Sequence, residues 1–105
     1  MTRWPRQLHV FGETWLVKLV SQKELDSDWN SPVEGDYNSD KRTIRIWRGL
    51  KGHARWVTLW HEVFHICAQK SFGDSGLTTA VEEKLVSSLA VVWGEILSRN
   101  FQIGA

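Results

Sequence analysis

The first half of the chain contains two stretches in which apolar and polar residues alternate. Glu13–Val20 (ETWLVKLV) is rich in Trp, Leu and Val, and Thr43–Arg48 (TIRIWR) places Ile44 and Ile46 on one face. Because a period of two is typical of a half-buried strand, each stretch predicts a β-strand. Gly35–Asn38 is predicted to pair with the second strand as a hairpin. The polar segment between the two stretches predicts a loop with room for one helical turn.

The second half of the chain has the pattern of two helices. Ala54–Lys70 contains neither Gly nor Pro and is long enough for about four turns. After a loop with two glycines, a last helix is predicted from Thr78 or Thr79 to about Arg99. Its apolar residues recur at intervals of three and four, which predicts one buried stripe. The stripe consists of Val81, Leu85, Leu89, Val92 and Ile96.

The order of these elements predicts an α+β domain. Strands come first and helices follow, which is typical of a small antiparallel sheet, here of about three strands, with both helices packed on one face. The whole chain, residues 1–105, is long enough for one such domain and too short for two.

Composition and charge exclude several classes of protein. Thirteen Lys and Arg balance twelve Asp and Glu, so the net charge indicates no general affinity for polyanions. The single cysteine excludes an internal disulfide framework and a multi-cysteine zinc module. No segment has the length and apolarity of a signal peptide or a membrane span. We therefore expect a soluble, cytoplasmic protein without a membrane partner.

One predicted helix carries a metal-binding pattern. His61, Glu62 and His65 form the sequence H-E-x-x-H within Ala54–Lys70. Residues at i and i+4 lie on the same helical face, so both imidazoles can reach one metal ion. The intervening glutamate is placed to hydrogen-bond a metal-bound water, which is the position of a general base. Either histidine alone would be interpreted as an ordinary residue at the border of a core, but the pattern on a predicted helix favours a zinc site.

A catalytic zinc usually takes a third protein ligand and leaves one position for water. Cys67 points away from the histidine face and is predicted to be a small buried hydrophobe. His9 and His53 have no spacing that identifies a ligand. The remaining candidates are Glu82 and Glu83 in the last helix.

Helical projection favours Glu82 over Glu83 as the third ligand. It places Glu82 on the apolar face of the last helix and Glu83 toward its polar side. A carboxylate among apolar side chains needs a partner, which a metal would provide. However, Thr79 and Glu82 also fit a capping box, in which Glu82 would bond to the Thr79 N–H and leave Glu83 as the ligand. Both assignments stay open from the sequence.

The chain resembles a known family, the small gluzincin-type metallopeptidases of phages and prophages (minigluzincins), which are related to the ImmA/IrrE-like peptidases. The resemblance rests on TLWHEVFH at Thr58–His65 and VEEKLVSSLA at Val81–Ala90, and more weakly on GDYN and TIRI within Gly35–Ile46. It covers roughly residues 35–100.

The resemblance implies a fold, a cofactor and a set of roles. The fold would be zincin-like, a short antiparallel sheet packed on a zinc-binding helix that is followed by a second helix with a glutamate ligand. His61 and His65 would bind Zn²⁺, Glu62 would be the catalytic base, and a glutamate of VEE would be the third ligand. The substrate would be a peptide or protein in the cytoplasm of a phage host.

The leading hypothesis is therefore a zinc-dependent peptidase in which a strand at the cleft holds an extended peptide. We expect Thr43–Arg48 to be that strand if it lies at the rim. Tyr37 and His53 are candidates for stabilising the oxyanion, although a structural role is commoner for each.

The alternative is a nucleic-acid-binding or interaction module with a structural zinc. It rests on six basic residues without an intervening acid, which Trp47 accompanies. The six are Lys41, Arg42, Arg45, Arg48, Lys51 and Arg55.

Overall fold

The computed structural model describes residues 4–26, 33–72 and 78–100. This part of the chain forms four strands and three helices. The strands are β1 (Gln7–Val10), β2 (Glu13–Val20), β3 (Gly35–Asn38) and β4 (Thr43–Trp47), and the helices are α1 (Gln22–Asp26), α2 (His53–Phe72) and α3 (Thr79–Asn100). The α+β class is therefore confirmed, and the two long helices lie within two residues of their predicted limits.

The sheet is mixed and four-stranded, so the prediction of about three antiparallel strands is wrong. Its order is β1-β2-β4-β3. The hairpin of β3 and β4 is antiparallel as predicted, but β2 and β4 pair in parallel. Ile44 and Ile46 of β4 are both fully buried, which explains why this strand occupies a central position with both of its edges paired. The polar strand β3 lies at the edge of the sheet.

The additional strand, β1, pairs with β2 through a two-residue turn. Val10 and Glu13 face each other across this turn, and the residues between them, Phe11 and Gly12, have φ angles of 50° and 78°. Two positive φ angles are typical of the tight turn that suits the twist of a hairpin. Asn-Gly is the usual sequence signal for this turn. Phe-Gly does not predict it, so the turn could not be recognised from the sequence.

The core lies between the sheet and α2. Trp15 of β2 and the two isoleucines of β4 meet Leu59 and Ile66 of α2, and each of these side chains is at most 2% exposed. Burial of large apolar side chains is the main contribution to the stability of such a small domain. The end of α2 is joined to the sheet by an ion pair between Lys70 Nζ and Glu13 Oε1 at 2.8 Å. No helix in the described part of the chain has the length and apolarity needed to cross a bilayer.

Helix α3 packs on α2, but with a different face from the predicted one. Its buried residues are Val86 and Ala90, whereas the five residues of the predicted stripe are 39–54% exposed. At 100° per residue, the two faces are centred about 120° apart. The prediction of a buried stripe is therefore wrong. Val86 and Ala90 have small side chains, which allows α3 to approach α2 closely.

Candidate metal and active site

The two histidines of the H-E-x-x-H pattern lie one helical turn apart on α2. Their Nε2 atoms are 3.1 Å apart. The side chain of His61 is 25% exposed and that of His65 is 11% exposed. Burial lowers the pKa of His61, and the neighbouring His65 lowers it further. A neutral imidazole is the form that binds a metal, so this environment favours the binding state.

The first turn of α3 brings both candidate glutamates to this pair, in different positions. The Glu83 carboxylate faces both Nε2 atoms, with Oε1 2.9 Å from His61 and Oε2 3.0 Å from His65. Glu82 Oε2 instead lies 2.7 Å from the other ring nitrogen of His65, Nδ1. The two glutamates straddle the direction of Val86, which faces α2, so each reaches the histidines from its own side. This geometry favours Glu83 as the third ligand and Glu82 as the partner that orients His65.

The capping box, which the sequence offers as the alternative role of Glu82, does not form. The helix is capped by Thr78, whose Oγ1 accepts a hydrogen bond from the Val81 N–H at 3.2 Å. The Thr78 carbonyl also accepts the Glu82 N–H at 2.9 Å. Thr78 is therefore the capping residue, and the carboxylate of Glu82 contacts His65.

The donor set fits a zinc ion. One ligand atom each from His61, His65 and Glu83 lie within 4.8 Å of one another. Ligand atoms at 2.0–2.1 Å from a tetrahedral zinc lie about 3.3 Å from one another, close to the 2.9–3.1 Å that separates the two Nε2 atoms and the Glu83 oxygens here. In zinc sites, the ring nitrogen of a ligating histidine that does not bind the metal usually donates a hydrogen bond to a second carboxylate. Glu82 occupies this position.

Glu62 is buried beside this cluster and lines the same cleft. It is 7% exposed. Burial raises the pKa of Glu62 to about 7, with a contribution from Asp36 and Glu83, while His65 acts in the opposite direction. A carboxyl group with a pKa near neutrality is suited to accept a proton and then return it at physiological pH.

The cleft lies between α2 and the edge strand β3 and has a volume of about 820 Å³. A Cβ atom on Gly35 would be 2.9 Å from Thr58 Cγ2, so the absence of a side chain lets β3 approach α2. Arg45 on β4 donates hydrogen bonds from Nε and Nη2 to the two carboxylate oxygens of Asp36, which anchors β3 to the sheet. Thr43–Arg48 is expected to hold a peptide only if it lies at the rim, and this condition is not met, because β4 is flanked by β2 and β3. The strand at the cleft is β3.

The charged side chains that line this cleft, among the described residues, are all acidic apart from the two histidines. The carboxylates are those of Glu34, Asp36, Asp40, Glu62, Glu82 and Glu83. Such a lining favours a cation.

Tyr37 also lines the cleft, and its ring stacks on His65 with the centroids 6.3 Å apart. Burial, together with the carboxylates of Glu82 and Glu62, raises the pKa of the Tyr37 phenol, which therefore keeps its proton at neutral pH. The other sequence candidates lie elsewhere. His53 is exposed at the first position of α2, and His9 is on β1 beside Thr14. Cys67 packs against the core, where it is half-buried rather than fully buried as predicted.

Four of the six basic residues that suggested nucleic-acid binding have intramolecular contacts. Arg48 donates a hydrogen bond to the Leu19 carbonyl at 3.4 Å. Arg45 is held by Asp36, and Arg42 forms an ion pair with Glu13 at 3.1 Å. Arg55 donates hydrogen bonds to the carbonyl groups of residues 48 and 50. Arg42 and Arg45 are therefore paired with carboxylates within the fold.

No protein-family model, curated protein or solved structure matches this chain. The resemblance to the small gluzincin peptidases therefore stays a prediction.

Proposed function

We propose that this protein is a zinc-dependent peptidase with a zincin-like active site. The observation that carries the proposal is the convergence of His61 Nε2, His65 Nε2 and the Glu83 carboxylate beside the buried Glu62 in an open cleft. His61, His65 and Glu83 would hold the zinc, and Glu82 would orient the ring of His65 through Nδ1. When bound, zinc supplies a water of lowered pKa and polarises the substrate carbonyl.

The residues of the chain would do the remaining work. The carboxylate of Glu62 would accept a proton from the attacking water and pass it to the leaving amine. The edge strand β3 would bind an extended peptide by main-chain hydrogen bonds, in the way that peptides add to exposed sheet edges. The protonated hydroxyl of Tyr37 would donate a hydrogen bond to the substrate carbonyl as negative charge develops on it.

The decisive experiment compares two carboxylates of the same cleft. Glu62→Gln keeps the size of the side chain and removes the base, and Glu34→Gln removes an exposed acid that has no part in the mechanism. With zinc-loaded protein and a broad peptide library, Glu62→Gln should lower the cleavage rate by at least about 100-fold. Glu34→Gln should cleave at nearly the rate of the unchanged protein, and the zinc content of both variants should match it.

Two outcomes would contradict the proposal. If Glu62→Gln cleaves peptides as fast as the unchanged protein, Glu62 is not the base. If the zinc-loaded protein cleaves no peptide in the library, the site is better explained as a structural zinc in an interaction module.

A further inference from the structure

Most of the exposed large hydrophobic residues in the described part of the chain lie on one helix. Nine large hydrophobic residues are exposed in the described part of the chain, and seven of them belong to α3. Five of the seven lie within about 80° of arc around the helix. We call this set, Val81, Leu85, Leu89, Val92 and Ile96, the apolar stripe. Monomeric proteins rarely expose a contiguous apolar patch of this kind without a partner.

The spacing of the stripe suits a second helix. From Leu85 to Ile96 the apolar residues follow intervals of four, three and four, the spacing of the seam between two packed helices. The stripe extends from Val81 to Ile96, about 22 Å at 1.5 Å per residue, which is four turns of contact. It is centred about 120° from the face that packs on α2, so α2 does not cover it.

The charges beside the stripe make it complementary to itself. Lys84 and Glu95 are eleven residues apart, so they lie within about 20° of each other on the same flank. If two copies of α3 pack in antiparallel directions around a two-fold axis, Lys84 of one copy lies opposite Glu95 of the other. Along one helix, the midpoint between Lys84 and Glu95 is within one residue of the centre of the stripe, near Leu89. A parallel arrangement around a two-fold axis would instead place this flank of the two copies on opposite sides of the seam, where Lys84 could not reach Glu95 of the other copy.

We propose that the protein forms an antiparallel homodimer through the apolar stripe of α3, with the two-fold axis near Leu89. The stripe does not line the cleft, to which α3 contributes Glu82 and Glu83. The dimer therefore leaves the candidate active site open. The proposal does not depend on the function of that site.

Sedimentation equilibrium of the full chain, between about 2 and 200 µM, tests the proposal. One helix face is small for a protein interface, so we expect a reversible dimer with a dissociation constant in the micromolar range. Leu85→Lys should weaken dimerisation at least tenfold. Leu16→Lys is the matched control, because Leu16 is 43% exposed and Leu85 is 48% exposed, but Leu16 lies on β2. It should dimerise like the unchanged protein.

A charge exchange tests the orientation. Lys84→Glu and Glu95→Lys should each weaken the dimer, and the double variant should restore it, since the pairs are then reversed. Circular dichroism verifies that every variant is folded, and the double variant keeps the composition of the chain.

The proposal is overturned if the unchanged protein stays monomeric at 200 µM or assembles beyond a dimer. It is also overturned if Leu85→Lys and Leu16→Lys have the same effect. A double variant that dimerises more weakly than both single variants would refute the antiparallel arrangement.

Discussion

The burial of Glu62 makes the stability of the metal-free protein depend on pH in a specific way. Its pKa is raised from 4.5 to about 7, chiefly because the carboxylate is removed from water. Between these pH values the folded protein binds a proton that the unfolded chain has released. The free energy of unfolding must therefore fall as the pH rises through this range. A pKa difference of about 2.5 corresponds to a loss of about 3 kcal/mol in the free energy of unfolding. This loss is absent below pH 4.5 and complete above pH 7.

Glu62→Gln removes this cost, because the amide stays neutral at every pH. Relative to the unchanged protein, the variant should gain about 2.5 kcal/mol of stability as the pH rises from 5 to 8. With a typical urea dependence for a domain of this size, the gain moves the midpoint of unfolding by about 2 M. Urea unfolding in the presence of EDTA at pH 5, 6, 7 and 8 measures it.

Two comparisons isolate the effect of Glu62. His61 also titrates, since its pKa is lowered by burial, but it destabilises both proteins equally as the pH falls and cancels in the difference. Glu34→Gln, at an exposed position in the same cleft, is the matched control. Saturating zinc should reduce the difference, because a nearby cation stabilises the ionised carboxylate. If Glu62→Gln and the unchanged protein differ equally at pH 5 and pH 8, the carboxylate is solvated and the account of a buried base is wrong.

Two further predictions concern the wall of the cleft and the basic stretch. Gly35→Ala should destabilise the protein by about 2 kcal/mol, because the new Cβ meets Thr58 Cγ2 and the Arg45 carbonyl oxygen at 2.9 and 3.0 Å. The melting temperature of this variant should fall by several degrees, and it should partly recover when Thr58→Ser removes the methyl group. An unchanged melting temperature would show that β3 does not approach α2 so closely. DNA or RNA should bind more weakly than about 1 µM at physiological salt, as measured by fluorescence anisotropy. Submicromolar binding that is lost when Arg48 and Lys51 are changed to Glu would favour the interaction module.

Features that depend on short-range pattern could be predicted from the sequence. The alternation in Glu13–Val20 and Thr43–Arg48 predicts two strands that the structure contains, and the absence of Gly and Pro from Ala54–Lys70 predicts the helix of His61 and His65. The separation of His61 and His65 by four residues places both imidazoles on one helical face, which follows from helix geometry alone.

Features that depend on contacts between distant segments could not be predicted in this way. The parallel pairing of β2 with β4 is set by packing of the whole sheet. The periodicity of α3 shows that it has an apolar stripe but does not show which surface covers it. Helical projection therefore favours Glu82 from a face that the structure leaves exposed. Glu82 and Glu83 are adjacent, and only the position of α3 against α2 distinguishes them.

The most direct test of the account is the zinc content of the protein, measured by native mass spectrometry after purification without chelators. We predict one zinc per chain, which His61→Ala, His65→Ala and Glu83→Gln should each remove. Glu82→Gln should keep the zinc but weaken its binding by about 10–100-fold, as expected for a group that acts through a ligating histidine. A protein that takes up no zinc, or one that loses it with Glu82→Gln and keeps it with Glu83→Gln, would contradict the account.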